Sequence, residues 1–327
     1  MRTRTGTEVL LILMTLIWGA NFSVIKASLE EFRPLTFNIL RFLIASTLVL
    51  GILWYRERSL RAPKGELWKI VLLGFVGNTF YQVLFIEGIH LTRAGDATLI
   101  LALMPMTILL LGALSGLERF QVGNALATGC SFLGVLLAVY SSSQKATAHA
   151  SNPILGNLLI LVCVICWAAY SLFSAPLMKN MSSLRFSALT MSFGTLFLLP
   201  LSIPQLLHQD WQAVSSAAWA GVLYSSCLAL VFCYIVWYHG VRQLGNNQTT
   251  IYSNLSAPFG ILVAWLVLGE DLSRWHLTGT IMVLTGIFLN RIIGAGRVEK
   301  QSKPATTLPV RALSNEEISD IPSQPEA

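Results

Sequence analysis

Apolar runs alternate with short polar breaks along most of the chain. Each run is close to the ~20 residues that the hydrocarbon core of a bilayer requires. Ten spans can be drawn, over 8–28, 35–55, 67–89, 94–117, 121–141, 154–175, 184–203, 215–238, 246–268 and 275–293. The breaks carry turn or charge signals: Glu30-Glu31 with Arg33-Pro34, the basic segment Arg56–Lys64, Glu118-Arg119, the polar loop Ser141–Pro153, and Glu270–Arg274. Pro34 and Pro153 stand just before helices, where a missing N–H costs little. Arg2 and Arg4 precede an apolar run too long for the core of a signal peptide, so it reads as a first, uncleaved span. The pattern predicts an all-α polytopic membrane protein of ten transmembrane helices.

The pattern also repeats. Ala94–Glu118 and Asn246–Glu270 are each an apolar run broken by a mid-span proline, Pro105 or Pro258, and closed by a glutamate. Gly88 pairs with Gly240, Gly134 with Gly286, Trp68 with Trp219, and Trp18 with Trp167, all in the same order. Residues 1–143 and 154–293 are therefore read as two copies of one five-helix repeat. An odd number of spans forces the second copy into the membrane upside down, the inverted plan on which alternating access is built.

Charge then sets the orientation. With the N-terminus inside, all of the 22 Lys and Arg fall on the inner side except Lys26, Arg33, Arg41, Arg93, Lys145 and Arg274. That asymmetry predicts both termini in the cytoplasm, for a multi-pass protein of the plasma membrane (the inner membrane of a bacterium). Residues 297–327 have few aliphatics and much Ser, Pro, Glu and Thr. They read as a disordered cytoplasmic tail.

Composition agrees and removes other classes. The 327 residues are 54% hydrophobic and 12% charged, with a mean hydropathy of +0.64. Soluble domains carry about a quarter charged residues. The pI near 9.2 does not mark a nucleic-acid partner, because the basic residues sit in loops between apolar runs. Cys163 and Cys166 form a CxxC inside an apolar run, with no second pair or nearby histidine. They read as packing residues, and no metal or cofactor is expected. No HExxH, no GxSxG and no Ser/His/Asp set at one depth is present, so an enzyme is not expected.

The segments WGANFSVIK (Trp18–Lys26), PLTFNILRFLIA (Pro34–Ala45, with Arg41), IEGIHLTRAGDATLI (Ile86–Ile100) and SAPFGILVAWLVLGE (Ser256–Glu270) resemble, as an ordered set, the EamA-type branch of the drug/metabolite transporter superfamily. The resemblance covers about residues 8–293. It implies a ten-helix, pseudo-twofold carrier with a central cavity, and export of amino acids or related metabolites.

The neutral polar and aromatic residues at mid-span are the candidate substrate site. They are Trp18 and Asn21 in span 1, Asn78, Tyr81 and Gln82 in span 3, and Trp167, Tyr170 and Ser174 in span 6, together with Tyr234 in span 8 and Tyr252, Ser253 and Asn254 in span 9. Lipid would leave such groups unsatisfied, so their faces should turn inward. Inside, they serve either as interhelical hydrogen bonds or as a cavity lining. The cluster as a whole favours the cavity, with five spans converging on one chemistry. Pro105 and Pro258 are read as helix kinks, each freeing a carbonyl of the preceding turn.

Three charged residues lie nearer the outer ends of their spans. Lys26 and Glu87 are placed to form an ion pair, which Arg41 would join or escape by snorkelling outward. Interfacial anchoring is the favoured role, and an outer gate or a titrating Glu87 the functional one. Glu118 and Glu270 are expected to cap the helix that follows each of them. Gly112 with Gly116, and Gly260 with Ala264, mark close helix packing, internal or across a homodimer. Together these features predict a carrier whose partners are a small polar or zwitterionic metabolite and membrane lipid. A proton-coupled drug antiporter using Glu87 is the alternative. A non-transporting scaffold is a third reading, opposed by the lack of any sizeable soluble domain.

Overall fold

The computed structural model describes residues 2–115, 122–143, 150–178, 180–244, 249, 252, 255–270, 273–275, 277–286 and 288–289. The chain divides into Met1–Asn290 and Arg291–Ala327. The second part, which includes the tail expected over 297–327, lies outside the described residues.

The regular structure is helical. α1 (Arg2–Ser28) and α2 (Pro34–Glu57) are followed by α3 (Leu67–Leu91), α4 (Ala94–Leu101), α5 (Met104–Leu114) and α6 (Val122–Ser143). Next come α7 (Pro153–Leu177), α8 (Ser183–Leu207) and α9, which runs through Ser216–Leu223, Tyr224–Phe232 and Cys233–Leu244. α10 (Ser256–Leu268) and α11 (Leu277–Gly286) follow. Seven helices among the described residues are long and apolar enough to cross a membrane: Thr5–Ser28, Pro34–Glu57, Leu67–Leu91, Ala94–Leu114, Pro153–Ser174, Ser183–Leu207 and Ser216–Trp237. α6, α10 and α11 fall within the other three expected spans.

Local chemistry sets the ends. Pro34 and Pro153 open α2 and α7, as their missing N–H groups favour. Asn152, Ser182 and Ser215 cap α7, α8 and α9 by accepting from N–H groups of the first turn. α4 ends at Leu101, and α5 begins at Met104 with Pro105 in its first turn. Pro105 has no N–H to return to the Leu101 carbonyl, so the span is broken at that turn.

Outer faces stay apolar: Leu13 is 44% exposed, Leu196 61% and Leu266 64%. With apolar residues buried inside the bundle as well, lipid is the solvent for that outer surface. The main core joins α1 to α4 and α7 through Ile25, Phe37, Phe85, Ile86, Leu99 and Ile160. α1 packs along α10, and α7 along α4 and α5. α3 packs on α7, and α9 on α1, while α8 touches both α2 and α3. α2 touches α9, and α4 crosses α10.

The tightest crossing depends on two glycines. A Cβ at Gly19 would lie 2.8 Å from Gly260 N and from Ser256 O, and one at Gly260 would lie 2.5 Å from Thr98 Cγ2. α1 and α10 therefore meet backbone to backbone, the small-residue packing open to membrane helices, and the Thr98 side chain of α4 fills the space left by Gly260. Gly260 thus serves internal packing.

Candidate functional site

α3 and α9 each widen into a π-helical stretch, at Val76–Phe80 and Tyr224–Phe232. Such stretches interrupt the regular hydrogen-bond ladder and cluster at functional sites. Here they carry Asn78, Tyr224, Ser225 and Ser226. A Cβ at Gly77 would lie 2.3 Å from Tyr170 Cδ2. The bare glycine lets the Tyr170 ring rest directly on α3.

The expected site residues form two groups. In the first, on α1 and α9, the Asn21 side-chain oxygen accepts from Ser225 Oγ at 2.6 Å. Trp18 donates its indole N–H to the Ala229 carbonyl at 2.9 Å, and the Tyr224 hydroxyl donates to the Ile17 carbonyl at 3.1 Å. The Trp18 ring meets Tyr234 edge-on at 6.4 Å and Trp237 at 6.1 Å. Tyr252 packs on the same cluster. In the second group, on α3 and α7, Tyr81, Trp167 and Tyr170 form a ladder of rings with centroids 5.3 and 5.2 Å apart. Phe85 stacks on Tyr81 at 5.7 Å and reaches Phe22 of α1 at 6.0 Å. The Tyr170 hydroxyl lies 3.2 Å from Thr190 Oγ1 on α8, with Asn78 beside it.

Arg41 lies against the second group. Its Nε donates to Asn38 Oδ1 at 2.9 Å and its Nη2 to Gln82 Oε1 at 2.5 Å. Asn38 also donates to the Gln82 carbonyl at 3.0 Å. The Phe85 ring, which stacks on Tyr81, lies 5.5 Å from the guanidinium carbon. Arg41 is 1% exposed, so the expected snorkelling does not occur. Asn38 is not among the expected site residues, although its place three residues before Arg41 puts it on the same helical face.

The expected outer ion pair does not form either. Lys26 turns to the end of α3 and donates to the carbonyls of Ile89, His90 and Thr92 at 2.8, 2.7 and 2.6 Å. A helix C-terminus presents unpaired carbonyls and negative dipole, and three carbonyls here match the three donors of the ammonium. Glu87 instead accepts from Gln205 Nε2 at 3.4 Å. Ser174 bonds back to the Ser171 carbonyl of its own helix at 2.9 Å. Ser253 and Asn254 lie outside the described residues, as does Glu118. Pro258 falls in the first turn of α10, and of residues 245–254 only Thr249 and Tyr252 are described.

Glu270 is a cap, but of a different helix from the one expected. Its carboxylate accepts from Ala94 N at 2.7 Å and Gly95 N at 2.9 Å, at the start of α4. Gly269 makes this reach available. It ends α10 in the left-handed region at φ 64°, which glycine adopts freely, and turns the chain toward α4.

Further ties close the same end of the bundle. Glu31 accepts from Ser215 N and Oγ at 2.5 and 2.8 Å, and the Gln209 side-chain oxygen accepts from Arg33 N at 2.8 Å. At the other end, Glu57 pairs with Arg185 at 2.7 Å, and Glu66 accepts from Asn180 at 2.7 Å. Cys163 and Cys166 are both free thiols. An apolar groove of about 590 Å³, lined by Leu67, Trp68, Val71, Leu72, Phe75 and Phe197, contains none of the expected site residues.

A lipid-facing helical bundle with polar and aromatic residues turned inward defines a multi-pass membrane protein. The model of the EamA-like transporter family matches residues 6–140 and 154–292, and the chain belongs to that family, within the drug/metabolite transporter superfamily. An uncharacterized transporter of Archaeoglobus fulgidus is 27% identical, over 86% of this chain and 96% of its own. The uncharacterized transporter YetK of Bacillus subtilis is 26% identical, over 89% and 88%. A protein of Streptantibioticus cattleyicolor named a probable terminal-alkyne amino-acid exporter is also 26% identical, over 90% and 96%. A solved crystal structure shares the fold with a TM-score of 0.63 at 15% identity, covering 89% of this chain and 98% of that one.

Proposed function

We propose that the protein is a secondary transporter that exports amino acids or related small metabolites by alternating access. Ten spans form two inverted five-helix halves, residues 1–143 and 154–293, in the bacterial inner membrane with both termini cytoplasmic. The observation that carries the reading is the symmetry of helix packing. α1 lies along α10 as α7 lies along α4 and α5. α3 lies on α7 as α9 lies on α1, and α3 meets α8 as α2 meets α9. Exchanging the halves turns each of these three contacts into its partner, which supports the repeat reading.

The substrate would sit between the two residue groups, against Trp18, Asn21, Asn78, Tyr81, Gln82, Trp167, Tyr170, Tyr234 and Tyr252, together with Ser253 and Asn254. The ties at Lys26, Glu31 and Glu270 then act as the closed gate of one face. The relative named as an amino-acid exporter supports the substrate class. The test is efflux from liposomes holding the purified protein, loaded with single amino acids or nucleobases, with and without a pH gradient. Efflux of at least one amino acid is expected. Correctly inserted protein that moves none of them would overturn the reading.

A further inference from the structure

Arg41 is the largest fully buried side chain among the described residues. Its hydrogen-bond acceptors, Asn38 and Gln82, are both neutral. Phe42 and Phe85 hold their ring centroids 5.5 Å from the guanidinium carbon, and Phe37 at 5.9 Å. Ring faces offset part of the cost of a buried cation. Among the described residues no carboxylate pairs with it. A full charge removed from water costs several kcal/mol unless an opposite charge meets it. Two neutral acceptors on neighbouring helices would be served equally by an amide or a hydroxyl. A guanidinium adds a permanent charge and a planar fork of donors, more than two of which these bonds leave over.

We infer that Arg41 is the anion-binding group of the substrate site and that its ligand is a monocarboxylate, an inference that rests on the transporter reading above. A carboxylate matches the guanidinium fork in shape and leaves a neutral pair in the low-dielectric interior. A phosphate dianion would leave a net negative charge there. The location fits, because Gln82 and Phe85, which touch the guanidinium, belong to the face of α3 that carries Tyr81. Phe85 stacks on Tyr81, which in turn meets Trp167, so the ammonium of an amino acid would find aromatic faces on that side. Asn38 and Gln82 hold the fork in place, which makes them positioning residues.

The test uses the purified full-length protein and its unfolding temperature. The probes are the proteinogenic L-amino acids, each compared with its amide and methyl ester. Some free acids should stabilise the protein, and their amides and esters should not. Arg41→Lys should weaken that acid by at least about 30-fold, since a point charge replaces the fork. Arg41→Gln should abolish the preference for acid over amide. Should Arg41→Gln fail to fold, the acid–amide comparison on the unaltered protein still decides. Equal stabilisation by acid and amide, no stabilisation by any acid, or an acid preference that survives Arg41→Gln would each overturn the inference. Liposome efflux separates this from the broader reading. Flux of an amino acid whose amide and ester stabilise the protein as well as the free acid does removes only the Arg41 assignment. Carboxylate binding without flux of any compound removes the transporter reading.

Discussion

The Glu270 carboxylate and the Ala94 N–H are 2.7 Å apart, although one closes α10 and the other opens α4. With Gly95 N at 2.9 Å, both oxygens cap orphan N–H groups where the helix dipole favours negative charge. Glu270 is only 8% exposed, so water cannot replace it. Glu270→Ala should cost about 2–4 kcal/mol of stability. Glu270→Gln, which keeps one neutral acceptor, should lose less. Unfolding temperature and monodispersity in detergent measure both. An Ala variant as stable as the parent would remove the cap from the account.

Lys26 makes the reciprocal contact at the other kind of helix end. Its ammonium satisfies three carbonyls as α3 ends, and it is 5% exposed. Lys26→Met keeps the stem but leaves those carbonyls bare, at a cost of about 3 kcal/mol. The contrast is Glu87→Gln, which should leave stability within about 0.5 kcal/mol, as expected of a site away from buried networks. If Lys26→Met and Glu87→Gln proved equally severe and their double variant no worse than either, the ion-pair arrangement would be right after all.

Gly19 tolerates no side chain without movement of α10. The atoms nearest to a Cβ at this position, Gly260 N and Ser256 O at 2.8 Å, are backbone and cannot swing away. Gly19→Ala should therefore destabilise by about 1–3 kcal/mol, and Gly19→Val by more. Gly51, with nothing within 4 Å of its Cβ position, is the control. Gly51→Ala should be neutral or slightly stabilising, by up to about 1 kcal/mol. Thermal unfolding of the three variants side by side would show the order.

Orientation has a direct readout. A C-terminal reporter active only in the cytoplasm should give signal, and one active only outside should not. Lys and Arg in the loops set this expectation. The opposite pattern would invert the assignment of the Lys26 and Glu270 end as the outer face.

Span positions were legible because hydropathy and proline placement are local. Pro34 and Pro153 open helices as expected, and the break at Leu101 is the hydrogen bond that Pro105 cannot make. The cap chemistry of Glu270 was legible too. Its partner was not, because it depends on a left-handed turn at Gly269 and on how α10 crosses α4. Arg41 was misread for a similar reason. Its depth in α2 allows snorkelling, and only the positions of Gln82 and Phe85 on another helix decide that it stays inside. The π-helical stretches at Val76–Phe80 and Tyr224–Phe232 have no proline to announce them. They follow from tertiary packing, as where Gly77 receives the Tyr170 ring.

Asn21 and Tyr170 decide whether the inward polar faces line a substrate site or only glue helices together. Asn21 ties α1 to α9 through Ser225, and Tyr170 ties α7 to α8 through Thr190. As glue, each bond contributes about 0.6 kcal/mol on average and at most about 1.7. Asn21→Ala and Tyr170→Phe should then lower stability by no more than that, and the fold should survive. As site residues they also lose contacts made to the substrate in transit, and efflux should fall about tenfold or more at matched protein in liposomes, the worth of about 1.4 kcal/mol. A small stability change with a large loss of flux marks a site. Flux that follows stability, or that is untouched in both variants and in Trp18→Ala, would reduce these residues to packing and move the site elsewhere.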